Sequence, residues 1–112
     1  MPLTLKRSSA SQIEAERRRY PRFETNEWVE VEGPEGSAGG VIRDICSGGA
    51  CILTGSRRRV GDRLVVRGPF GEMPASVAHA AEVPTGHLIG VAFDRAIRLP
   101  EEGGEFVWPA RW

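Results

Sequence analysis

From Phe23 to Phe93 the chain runs in short apolar stretches, cut at near-regular intervals by turns containing glycine or proline, and this rhythm limits the available folds more than any other feature. Six strands are predicted: 26–32 (NEWVEVE), 39–45 (GGVIRDI), 49–55 (GACILTG), 62–67 (DRLVVR), 74–83 (PASVAHAAEV) and 86–93 (GHLIGVAF). Val29 and Val31 alternate with Trp28, Glu30 and Glu32, and Ile89, Val91 and Phe93 alternate with Leu88, Gly90 and Ala92, both at the strand period of two. The connections GPEGSA, SGG, SRRRVG, GPFGEM and PTG are short enough to join antiparallel neighbours. An all-β domain this small leaves open edges unless the sheet closes, so a six-stranded antiparallel barrel is the expected fold. At 112 residues there is room for one such domain and not for two.

The flanks read differently. Residues 1–10 are polar and without period, and no fixed structure is expected there. Ser11-Gln12-Ile13-Glu14 matches a capping box, with Glu14 one turn before Arg18, and predicts a short helix over 12–18 that must end before Pro21. The division expected is a flexible N-terminal arm over 1–22 carrying that helix, a barrel over 23–95, and a C-terminal tail over 96–112. Gly103, Gly104 and two prolines argue against a long helix in the tail, and Phe106, Val107, Trp108 and Trp112 are expected to pack on the barrel or on a partner.

Fifteen basic residues balance fifteen acidic ones, which excludes broad electrostatic binding to nucleic acid or membrane and leaves a partner that reads a local patch. No apolar run approaches a membrane span and the N-terminus lacks a signal-peptide core, so a cytoplasmic location is expected. Cys46 and Cys51 form no CxxC and have no neighbouring histidine in sequence. They are read as buried thiols, with no metal or cofactor implied. His79 and His87 lie in strands without a companion nucleophile, and nothing indicates an enzyme.

Two stretches carry chemistry. Arg17, Arg18, Arg19 and Arg22 fall within six positions around Tyr20 and Pro21. Four guanidiniums repel one another, and a multivalent anion relieves that repulsion; a nucleotide also offers flat rings on which guanidinium stacks. The competing reading is a solvated linker. The second stretch is Asp44-Ile45-Cys46-Ser47-Gly48-Gly49-Ala50, a carboxylate near a strand end followed by a glycine pair. The N1–H and N2–H₂ edge of a guanine offers two donors to one carboxylate, while O6 and N7 accept from Arg. The competing reading has Asp44 capping the turn and Gly48-Gly49 supplying positive φ.

Together, the RxxxR of Arg18-Arg19-Tyr20-Pro21-Arg22 and Asp44-Ile45-Cys46-Ser47-Gly48-Gly49, close to Asp-x-Ser-x-x-Gly, resemble the PilZ domain. His87-Leu88-Ile89-Gly90-Val91-Ala92-Phe93 is similar to that family's last barrel strand, and the resemblance covers about residues 14–95. It implies a six-stranded antiparallel barrel of split-barrel type that binds cyclic di-GMP, a ring of two guanosines and two phosphates. Arg18 and Arg22 would contact phosphate and guanine, Asp44 and Cys46 would contact a guanine from the barrel face, and Gly49 would shape the turn. Arg17, immediately before RxxxR, implies a stacked pair of ligand molecules.

The chain departs from the family pattern at Cys46, where serine is expected, and in lacking an evident C-terminal helix. Ligand is expected to order about residues 8–23 against the barrel and so create a surface for a downstream protein. Two other readings stand beside this one. A PilZ-like barrel without nucleotide, acting as a protein adaptor, is favoured by Cys46 and the aromatic tail. An RNA-binding barrel would use Arg17–Arg22 and Arg57–Arg59, with Trp28 and Phe93 as its only stacking candidates; the run Arg57-Arg58-Arg59 itself is expected to be a solvated turn.

Overall fold

The computed structural model describes residues 2–7, 23–68, 71–97 and 104–107, and all their regular structure is β-strand. In chain order the strands are β1 (Pro2–Arg7), β2 (Phe23–Gly33), β3 (Gly36–Cys46), β4 (Gly49–Thr54), β5 (Arg63–Gly68), β6 (Gly71–Val83), β7 (Gly86–Phe93) and β8 (Gly104–Val107). Strands β2 to β7 close an antiparallel barrel in the order β2-β3-β4-β7-β6-β5, with β5 returning to β2. Each predicted strand matches one of these six to within three residues at either end. The period-two pattern explains why: Val31, Ile42, Ile52, Val66, Met73 and Ile89, one from each barrel strand, all point inward and are fully buried. Each contributes about 1.5–3 kcal/mol by leaving water, and a closed sheet has no open edge to expose them.

Three expectations need correction. Residues 2–7, expected to lack structure, form β1, which pairs with the start of β2 (Lys6 opposite Glu24, Arg7 opposite Phe23) and along its other part with β8 (Pro2 opposite Val107 to Leu5 opposite Gly104). Local sequence gave no sign of this strand, because its hydrogen bonds go to segments far away in the chain. The tail is thus fastened by β8, while Trp108 and Trp112 lie outside the described residues. So does the helix expected over 12–18.

The second correction is Arg58. It is 3% exposed, and its Nη2 donates to the carbonyls of Val31 (3.1 Å) and Gly36 (2.9 Å), tying the loop before β5 to the β2–β3 hairpin. Arg57 and Arg59 remain exposed. The third concerns the two thiols, which are half-buried rather than buried and face the outside of the barrel.

The outer face of β2, β5 and β6 is closed by charge. Arg67 donates to Glu32 (2.6 Å), Glu72 (2.9 Å) and Glu30 (3.0 Å), and these hydrogen bonds, Glu32 first, raise its pKa above the usual arginine value. Arg63 grips Asp94 with two bonds of 2.8 and 2.6 Å, which hold the carboxyl below its ordinary range. Among the described residues no helix is long and apolar enough to cross a membrane.

Candidate functional site

Strand parity predicts that Asp44 should be buried, because it lies two residues after the inward-facing Ile42. A β-bulge prevents this. Ile42 pairs with Ile52 but Asp44 pairs with Cys51, so Arg43 is an extra residue in β3, and everything after it changes face. Ile45 returns to the core, while Asp44 and Cys46 come to lie half-buried on the outer surface.

The same device recurs on β6. Val77 pairs with Val91 and His79 with Gly90, leaving Ala78 as the extra residue and turning His79 outward, where it is exposed. The two bulges stand at the ends of one cross-strand row, in which Asp44 on β3 is opposite Cys51 on β4, Cys51 opposite Gly90 on β7, and Gly90 opposite His79 on β6.

Between those ends the surface dips into a hollow of about 170 Å³ lined by Asp44, Cys46, Gly49, Cys51, His79 and Gly90, together with small neighbours. The dip exists because side chains are missing. A Cβ on Gly49 would fall on the carbonyl oxygen of Val91, so β4 and β7 approach this closely only with glycine there. A Cβ on Gly90 would overlap three atoms of the His79 ring, which lies over the bare backbone at that point. Gly49 therefore matters for the packing of two strands. Its φ is not positive: the left-handed glycines among the described residues are Gly36, Gly61, Gly71 and Gly86, so the positive φ that the competing reading gave Gly48-Gly49 is absent.

The turn bordering the hollow is held from behind. The carbonyl of Gly48 accepts from the Phe93 amide (2.9 Å) and that of Ser47 from the Ile97 amide (2.8 Å). Of the six residues singled out from sequence, Asp44, Cys46 and Gly49 are thus brought together on one surface. Arg17, Arg18 and Arg22 lie outside the described residues. The strands on either side of that segment nevertheless fix where it leaves and returns, because Arg7 and Phe23 are paired, and Phe23 pairs in turn with Ile45, the residue between Asp44 and Cys46.

Sequence reading missed Cys51, His79 and Gly90. The one available signal was an isolated glycine inside a strand pattern, which marks a close approach. Phe93 packs against the core and so leaves Trp28, 69% exposed, as the one outward aromatic of the two stacking candidates. Among the described residues no three His, Cys, Asp or Glu side chains converge as a metal site.

Neither a curated protein nor a solved structure matches the chain significantly. One family model does, the PilZ domain, over residues 16–103, which takes in the arginine pattern, the whole barrel and the bulged turn. The chain belongs to the PilZ domain family.

Proposed function

We propose that this domain is a cyclic di-GMP receptor, with Asp44 and Cys46 contacting a guanine and Arg18 and Arg22 contacting phosphate and the guanine's other edge. The observation that carries the reading is the register around Phe23. Arg22 is covalently next to a residue paired with Ile45, and Arg18, five residues from Phe23, can be no more than about 18 Å from it along the chain. Chain length therefore gives Arg22 and Arg18 the reach to meet a ligand held at the half-buried carboxylate and the glycine-floored hollow, and acceptor, cations and bare surface are the combination that a guanine nucleotide needs.

Of the 8–23 segment expected to order on binding, Phe23 is already paired in β2; ligand orders the remainder, residues 8–22, against the barrel and presents the composite surface to a downstream protein in the cytoplasm. Ordering about fifteen residues at about 1 kcal/mol or more each consumes much of the contact energy, so an affinity near micromolar is expected. Arg17 supplies charge for a second, stacked ligand.

Calorimetric titration with cyclic di-GMP, with GTP and cyclic AMP as controls, tests this. Arg18→Ala, Arg22→Ala and Asp44→Ala should each weaken binding about ten- to a hundredfold. Wild-type affinity in both arginine variants would overturn the assignment, and a molar ratio of one would overturn the stacked pair. Hydrogen exchange should show new protection over 8–22 and 44–49 when ligand is added; protection of 8–22 already present without ligand would overturn the ordering step. Cys46, a weaker donor than the family's serine, favours the second reading of a nucleotide-free adaptor, and a folded wild type that binds none of the nucleotides decides for it.

A further inference from the structure

The two bulges do the same thing at opposite ends of one row. Each inserts a residue, Arg43 or Ala78, and each thereby turns outward a side chain that parity would have buried, the half-buried Asp44 or the exposed His79. A sheet needs no bulge to bury two alternating strands, and two at matched positions leave a carboxylate and an imidazole facing one hollow. Their backbones stand three strand spacings apart, about 14 Å along the sheet, and the His79 ring, reaching back over Gly90, is still two spacings or about 10 Å from the Asp44 strand, too far to address the same edge of one base. The positions between them are a thiol and a glycine, Cys51 and Gly90, with Gly49 and Ala92 in the next row, so nothing tall divides the hollow.

We infer that the two ends receive the two bases of a cyclic dinucleotide by different physics: Asp44 reads the edge of a guanine, while His79, laid over Gly90, offers a ring face on which the other purine stacks without being read. This rests on the function proposed above and extends it to ligand class. A carboxylate accepts from N1–H and N2–H₂ of guanine, and adenine has no such donor pair on that edge, so the Asp44 end discriminates. Stacking tolerates any base because every base has a π-face, so the His79 end does not. The site is thus built for cyclic dinucleotides with at least one guanine, and it accepts a mixed guanine–adenine ring. The competing account is that His79 only shields a strand glycine, a packing device that would affect stability and not ligand.

Calorimetry with cyclic di-GMP, 3′,3′-cyclic GMP–AMP and cyclic di-AMP, on wild type, His79→Ala, His79→Phe and Asp44→Ala, separates these accounts. The wild type should bind the two guanine-containing ligands within a few-fold of each other and cyclic di-AMP at least about tenfold more weakly. His79→Ala should lose about tenfold for both guanine-containing ligands, and His79→Phe, which keeps a ring, should recover most of that loss. Thermal melts of the same variants report folding. Loss of cyclic GMP–AMP binding to the level of cyclic di-AMP would overturn the inference, since both bases would then be edge-read. Wild-type affinity in a folded His79→Ala, with binding still lost in Asp44→Ala, would overturn the inference and leave the receptor reading standing. A wild type that binds none of the three overturns both.

Discussion

Two faces of one barrel solve opposite problems. On β2, β5 and β6 the outer surface is closed by its own chemistry: Arg67 holds three glutamates and Arg63 holds Asp94, so the charges there are answered within the fold. Across β3, β4, β7 and β6 the corresponding surface is left low by Gly49, Gly90 and Ala92, and its polar residues are turned out by bulges. Both faces grow from the same period-two strands around the same core. What differs is whether outward positions carry long charged chains or small and short ones, and of these two faces it is the second that dips into a hollow.

The largest expected effect comes from filling the low face. Gly49→Val puts a branched side chain onto the Val91 carbonyl and forces β4 from β7, a cost at the upper end of the about 1–3 kcal/mol typical of overpacking, read as a lower midpoint in urea melts. An unchanged midpoint would mean that the strands are not held this closely. Next in size, Cys46→Ser replaces a poor donor by a good one and should tighten cyclic di-GMP several-fold, about one neutral hydrogen bond of 0.5–1.5 kcal/mol. Unchanged or weaker binding would show that this side chain does not meet the ligand.

On the closed face the effects should be small and confined to stability. Arg67→Gln leaves Glu30, Glu32 and Glu72 without their common cation, so the melting temperature should fall by a few degrees at low salt and by less at high salt, while ligand affinity stays within about twofold of wild type. A large loss of affinity would break the separation of the two faces. The smallest effect is the pH dependence of the Arg63–Asp94 pair. Asp94 is held below its ordinary value chiefly by the hydrogen bonds from Arg63, so the stability it contributes is present above the unfolded carboxylate pKa of about 3.9 and is lost as pH falls through the lower folded value. Wild type and Arg63→Gln should therefore differ slightly at neutral pH and converge in melts below about pH 4. Divergence on acidification would contradict the pairing.

How much of this was legible differs residue by residue. Val29, Val31, Ile89 and Val91 announced their strands because alternation is a local property, written wherever one side of a strand meets a core. Asp44 and Cys46 were legible only through a motif. Parity alone would have put Asp44 inside, and no feature of the sequence marks Arg43 or Ala78 as an inserted residue, because a bulge is a relation between two strands. β1 was illegible for the same reason: its partners, Phe23 and Glu24 on one side and residues 104–107 on the other, are distant in sequence. Arg58 was misread because a run of three arginines looks solvated until a hairpin from elsewhere supplies carbonyls to its middle member.

That buried arginine has a consequence for how the chain finds its pairing. Successive carbonyls along a strand point to opposite sides, so a slip of one residue between β2 and β3 would swing the Val31 oxygen away from the guanidinium and misplace that of Gly36. Nε and Nη1 of Arg58 have no partner among the described residues, so the carbonyls of Val31 and Gly36, both accepting from Nη2, carry the solvation of a charge shut off from water. Stranding such a charge costs several kcal/mol, far more than the pairing itself gains per residue. Arg58 thus works as a proofreader of alignment, making the slipped hairpin expensive. Arg58→Met should keep the core yet broaden the amide resonances of β2 and β3 through exchange between registers, and a single sharp set would show that the hydrophobic alternation fixes the register unaided.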